Sequence, residues 1–186
     1  MFERVKSLLG IQPTTRYDLD ELIRRANTEP QPPARSIRYV LGLDLGQTAD
    51  PSALAVLRRK EFELPQPGEP LVGAPRRSPR TYDCVALKRW PLGTSYPDIV
   101  DNVCAVLDKP ELRGSDLVVD ATGVGRPVVD MLRKERPSGN LKPVMITGGN
   151  AETCQGGYFH VSKAILISCT NVLLQRGRIK FAAGMP

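Results

Sequence analysis

The chain has a single histidine, His160, and no CxxC pair among its four cysteines. Cys84, Cys104, Cys154 and Cys169 lie far apart, so the closely spaced ligand set of a structural zinc site is missing. Buried, reduced thiols are the expectation for all four. His160 alone, without a partner residue in view, is weak ground for a proton shuttle. No apolar run approaches the ~20 residues of a membrane span. The opening "MFERVKSLLGIQP" lacks the apolar core of a signal peptide, so a soluble, cytoplasmic protein with no membrane partner is expected. No GxxxxGK[ST] phosphate loop occurs, which leaves the chain without an ATPase motor of that type. The last acidic residue is Glu152, and residues 153–186 contain none.

What is present is enough for one folded domain. The 186 residues are 41 % hydrophobic, a level that supports a real core. The net charge is +6 and the isoelectric point about 9.3. The basic residues are clustered: Arg58, Arg59 and Lys60; Arg76, Arg77 and Arg80; Lys88 and Arg89; Arg133, Lys134 and Arg136; Arg176, Arg178 and Lys180. Such clustering fits a polyanionic partner, set against the plainer reading of a solvated surface.

Residues 1–35 hold a short helix at "DLDELIRRAN", 18–27, and a proline-rich linker, "TEPQPPARS". The main domain is placed at 36–186. Residues 37–45, 53–59 and 81–89 read as three strands of an antiparallel meander. Between the second and third, residues 60–80 hold five prolines and two glycines and read as a long irregular arm. The apolar period then becomes helical. Tyr96, Ile99, Val100, Val103, Val106 and Leu107 share one face, with Pro97 tolerated in the first turn. A short buried strand, "DLVVD" at 116–120, leads into a helix over 123–136. "KPVMIT", 142–147, is another strand, Val161 to Leu174 a helix with a broad apolar face, and "RIKFA" the start of a further strand. No internal repeat is seen. The order is that of an α/β fold, a mixed sheet with helices on both faces. The fourth strand fits beside either the third or the first, and the pattern alone does not choose.

The chemistry begins with "YVLGLDLGQTADPSALAVL", 39–57. Asp44 ends an apolar strand, where removing water from a carboxylate costs several kcal/mol unless something replaces it. "DLVVDATGVG" supplies a second such residue, Asp120, before a glycine-rich turn. If the fourth strand runs parallel beside the first, the two carboxylates emerge together, roughly 4.8 Å apart by strand spacing. They would repel each other unless a divalent cation bridged them. Hard oxygen ligands suit Mg²⁺ or Mn²⁺, ions that support phosphodiester cleavage. Metal chemistry therefore favours the placement beside the first strand. Asp50 is a further oxygen donor, or simply the cap of the turn before Pro51. Thr122, Gly123 and Gly125 either admit substrate close to the metal or form the strand-to-helix turn.

The stretches "YVLGLDLGQTADPSALAVL", "LVVDATGVGRPVVDML" and "GGYFHVSKAILI" resemble the nuclease domain of bacteriophage large terminase subunits, which has the RNase H-like fold. The resemblance spans about residues 37–182. It implies a metal-dependent DNA endonuclease of a phage or prophage packaging machine, working by two-metal chemistry in the bacterial cytoplasm. Asp44 and Asp120 match the family's Mg²⁺- or Mn²⁺-binding catalytic aspartates. Lys163 matches a basic position that would contact phosphate. Arg126, near the start of the helix after Asp120, and Arg76, Arg77 and Arg80 on the proline-rich arm join it as DNA-binding candidates. The implied partners are double-stranded DNA, a packaging ATPase motor, and a portal or small terminase subunit. The family's third acidic cluster, on a helix after the last strand, has no counterpart here. That gap reads as truncation at the C-terminus or as a degenerate copy.

Two other classes compete. A DNA-binding or assembly module without catalysis would explain the absent third ligand. "GLDLGQT" and "DATGVG" also resemble phosphate loops of the actin and Hsp70 ATPases, whose nucleotide lies in a cleft between two domains of this kind. A dinucleotide site fits less well, because "GVG" lacks the GxGxxG spacing.

Overall fold

The computed structural model describes residues 23, 36–46, 49–62, 79–149 and 151–182. The expected helix at 18–27 lies outside them except for Ile23, which is helical and buried. Most of the arm, residues 63–78, also lies outside them, and Arg76 and Arg77 with it.

Alternation of side chains builds the centre of the sheet. In β1 (Ser36–Asp44), Tyr39, Leu41 and Leu43 are buried, while the residues between them are less so. In β2 (Ala53–Glu61), Leu54 and Val56 continue the same row, with Leu41 opposite Val56 and Leu43 opposite Leu54. β3 (Thr81–Arg89) completes an antiparallel meander, with one irregularity in register after Val56. Beyond it, α1 (Tyr96–Leu107) starts at Ser95, whose hydroxyl accepts from the Asp98 amide at 3.3 Å. That cap, with Pro97 in the first turn, satisfies and prepays the helix start. Its apolar face, Ile99, Val100, Val103, Val106 and Leu107, is buried against the sheet row. Each such side chain contributes about 1.5–3 kcal/mol by leaving water.

β4 (Asp116–Asp120) lies parallel to β1, with Leu41 level with Leu117 and Leu43 level with Val119. The placement favoured by metal chemistry is the one observed. α2 (Gly125–Glu135) packs on α1 and returns the chain to β5 (Asn140–Thr147), parallel to β4. β6 (Thr153–Gln155) and β7 (Tyr158–Ser162) form a hairpin at one edge. α3 (Lys163–Gln175) then leads to β8 (Ile179–Phe181) at the opposite edge. The sheet order among the described residues is β6-β7-β5-β4-β1-β2-β3-β8.

The crossovers fix the layers. α1 and α2 join parallel strands stepping from β3 toward β5, while α3 joins β7 to β8 in the reverse direction. Right-handed crossovers in opposite directions put their helices on opposite faces. Helices thus flank both faces of a mixed sheet, the RNase H-like arrangement expected above. The layers are unequal: α1 and α2 seal their face, whereas α3 buries no side chain and leaves Leu166, Ile167, Val172 and Leu174 exposed.

Two expectations are corrected. The helix expected from Val161 begins at Lys163, because Val161 and Ser162 belong to β7. The hairpin before it was announced by Gly156 and Gly157, both at positive φ in a two-residue turn. The cysteines differ as well. Cys84 is buried, with burial pushing its thiol up to about 11, but Cys104 is half-buried and Cys154 and Cys169 are exposed. Burial alone did not govern these, because β6 and α3 lie on open surface.

Gly125 marks where α2 meets β4. A Cβ there would stand 2.1 Å from the Asp120 carbonyl oxygen, against rigid backbone. Gly125→Ala should therefore cost about 1–3 kcal/mol, read as a lower urea midpoint. Gly148→Ala, where nothing lies within 4 Å, should leave the midpoint nearly unchanged.

Candidate functional site

Asp44 and Asp120 are the residues immediately after the level pair Leu43 and Val119 on adjacent parallel strands. Both carboxylates therefore stand at the same sheet edge, on the same face. Strand spacing there is roughly 4.8 Å. Two glycines allow the approach of the flanking turns. At Gly46 a Cβ would overlap the Asp50 carbonyl oxygen at 1.8 Å, so only glycine fits the β1–β2 turn. The Gly46 amide donates to Ser52 Oγ at 3.1 Å, and Tyr96 Oη donates to the Gly46 carbonyl at 3.0 Å. The turn beside Asp44 is thus tied to α1. After Asp120, the Thr122 amide donates to Asp120 Oδ1 at 2.8 Å, and Thr122 Oγ1 accepts from the Ile146 amide at 3.1 Å. Thr122, Gly123 and Gly125 serve the turn, which in turn orients Asp120.

The Asp44 carboxyl lies above the usual carboxylate range. Loss of water is the largest cause, the charge of Asp120 the next, and Asp50 adds to them, while the Leu45 amide opposes. Asp44 and Asp120 make no ion pair with a cation among the described residues. The pair is a concentration of negative charge with no compensating ion pair among the described residues. Oxygen-only donors at this spacing fit a hard divalent ion. Asp50, exposed in the β1–β2 turn, is close enough for its charge to be felt at Asp44. No cluster of three or more His, Cys, Asp or Glu side chains forms among the described residues, so Asp50 does not close a three-ligand set there.

The other candidates are scattered around this edge. Lys163 opens α3 directly after β7, at the same end of the sheet as the carboxylates, and is exposed. Ser162 is level with Thr147, three residues beyond the Asp120 and Val144 level, so Lys163 sits further out. Arg126 is exposed at the start of α2, its guanidinium 5.8 Å from the Tyr158 ring. Arg80 is held by Glu61, with Nε donating to Oε1 at 2.6 Å. His160 is level with Met145, which packs against the core under α1 and α2. It therefore faces away from Asp44 and Asp120, and the proton-shuttle idea gains no support.

One residue was missed at the sequence level. Asp44 is level with Ala53, and Ala53 with Arg89. Arg89 therefore belongs to the same row and face as the carboxylates. Alternation along β3 from its neighbour Lys88 carries this signal, but only once register is known.

No protein-family profile and no curated protein matches the chain. Among solved structures, the chain is similar to the large terminase nuclease from thermophilic phage G20c. The form with bound magnesium is 18% identical, with a TM-score of 0.48, over 79% of this chain and 59% of that one. The form with bound zinc is 17% identical, with a TM-score of 0.48, over 78% of this chain and 64% of that one. The chain thus spans about three fifths of the length of these structures.

The raised Asp44 carboxyl has a consequence for stability without metal. Its native form holds a proton more tightly than its unfolded form, so stability falls as pH rises through the raised range. Asp44→Asn should increase the melting temperature of the metal-free protein by a few degrees at pH 7. The gain should shrink as pH falls through the raised range of the Asp44 carboxyl, where the wild-type group takes up its proton. Thermal scans at several pH values in EDTA check this.

Proposed function

We propose that the chain is a metal-dependent endodeoxyribonuclease domain, with Asp44 and Asp120 as the residues that hold Mg²⁺ or Mn²⁺. The observation that supports it is the pairing of two carboxylates, without an ion pair among the described residues, at the ends of adjacent parallel strands. When bound, a divalent ion supplies an acidified water and stabilises a leaving oxygen in phosphodiester cleavage. The chain's own residues do the rest. Asp44 and Asp120 present fixed oxygens, held by the Gly46–Ser52–Tyr96 contacts and by the Thr122 turn. The edge itself is open, as a duplex substrate requires. Lys163 and Arg126 lie at the same end of the sheet and would contact phosphates on either side.

The sequence resemblance extends the proposal to a phage or prophage terminase, acting in the bacterial cytoplasm on double-stranded DNA. Its partners would be a packaging ATPase motor and a portal or small terminase subunit. A second reading is a DNA-binding module with little catalysis. It is favoured by the absence of a three-ligand cluster among the described residues. Two carboxylates leave most of an octahedral shell to water, so slow cleavage is expected, faster with Mn²⁺ than with Mg²⁺.

Incubation of the purified chain with plasmid DNA, with each metal and with EDTA, tests the proposal. Cleavage is expected in Mn²⁺ and should fall at least ~100-fold in Asp44→Asn and in Asp120→Asn, about 2.7 kcal/mol or more of transition-state stabilisation. Cleavage that persists in EDTA, or in both variants, would overturn it. DNA binding with no cleavage in either metal would select the second reading.

A further inference from the structure

Arg89 and Lys88 are adjacent in sequence and alike in charge, but the sheet sends them to opposite faces. Lys88 is level with Leu54 on the helix-covered face. Its Nζ donates to Asn102 Oδ1 on α1 at 2.8 Å and lies 4.9 Å from the Trp90 ring centre. Lys88 is therefore engaged in holding α1 to the sheet. Arg89 has none of this. It is exposed, makes no ion pair or side-chain hydrogen bond among the described residues, and ends β3 at the edge where β1 and β4 end.

Its place in the row is specific. Reading across the strands, the level positions run Asp120, Asp44, Ala53, Arg89. Between Asp44 and Arg89 stands only alanine, which puts no bulk above the sheet. Two strand spacings, roughly 9.6 Å, separate Asp44 from the base of the Arg89 side chain, and a third, to roughly 14.4 Å, separates Asp120 from it. Along one strand of a duplex, phosphates recur every ~3.4 Å of axis, so a backbone with one phosphate at the carboxylates brings another within reach of Arg89. The guanidinium is a planar donor fork suited to phosphate oxygens. Among the described residues Arg89 has no ion pair or side-chain hydrogen bond that would give it a structural task, whereas its neighbour's task is plain.

We propose that Arg89 binds a DNA phosphate flanking the one that a metal ion at Asp44 and Asp120 would hold, and so sets the position of the backbone on the sheet edge. The proposal rests on the nuclease reading above and deepens it by naming a substrate-positioning residue. It also sorts the basic residues: a cation contributes by its place in this row, not merely to the net charge.

The test compares Arg89→Ala, Arg89→Lys and Lys134→Ala in the full chain. Lys134→Ala removes the same charge from the last turn of α2. Binding of a labelled duplex is titrated without metal at several salt concentrations, and Mn²⁺-dependent cleavage is followed in parallel. Both replaced residues are exposed, so all variants should melt within a degree or two of wild type. Arg89→Ala should weaken binding by roughly three- to tenfold and lower the slope of log affinity against log salt by ~0.9, one phosphate contact. Arg89→Lys should restore the slope, and Lys134→Ala should leave it at the wild-type value. In cleavage, Arg89→Ala should raise KM more than it lowers kcat. Equal slopes for wild type and Arg89→Ala, or equal losses in Arg89→Ala and Lys134→Ala, would overturn the proposal. Failure of the wild-type chain to bind duplex at low salt would instead overturn the nuclease reading, and this inference with it.

Discussion

The repulsion between Asp44 and Asp120 is the constraint around which this sheet is arranged. Each residue ends an apolar strand whose burial is worth several kcal/mol, and those strands are locked side by side by the Leu41–Leu117 and Leu43–Val119 levels. The core therefore forces the two charges together. Neither can move away without shifting the register of a buried strand, and a one-residue slip would turn every buried side chain outward. Burial first and the charge of Asp120 second raise the Asp44 carboxyl, the cost of this arrangement. In the proposed role, a bound cation would offset that cost.

In the proposed role, the surroundings would let that pair meet a long substrate. Tight turns follow both strands, with Gly46 and Gly125 accepting backbone where a Cβ would collide. These turns keep bulk away from the carboxylates. α1 and α2 seal the face opposite the row, and within the row Asp44 and Arg89 are exposed while Asp120 and Ala53 are partly buried. The basic residues divide accordingly. Lys88, Arg58 and Lys60 are engaged in the folded structure, the last two as partners of Asp83. Arg89, Lys163 and Arg126 stand exposed at the end of the sheet where Asp44 and Asp120 lie.

Much of this was legible in the sequence, for a physical reason. Alternating apolar residues announced β1 and β2, the heptad-like spacing from Tyr96 to Leu107 announced α1, and "DLVVD" set both ends of β4. Asp44 and Asp120 stood out because a charge at the end of an apolar run is expensive. The hairpin of β6 and β7 was missed because its strands are short, β6 exposed and β7 mostly only partly buried, so burial left no clear alternating pattern; only the Gly156–Gly157 turn signalled it. Arg89 was hidden in a basic pair. Which of two adjacent cations faces the site depends on register, and register is a property of paired strands rather than of a linear sequence. His160 illustrates the converse, since its type suggested chemistry and its face denies it.

The most direct test of the account is the position of a bound ion. Crystals of the chain soaked in Mn²⁺ would be measured for anomalous scattering. The account predicts a peak bonded to carboxylate oxygens of both Asp44 and Asp120, at oxygen distances near ~2.1–2.2 Å. Carboxylates more than ~8 Å apart, or a peak bonded to neither, would contradict it.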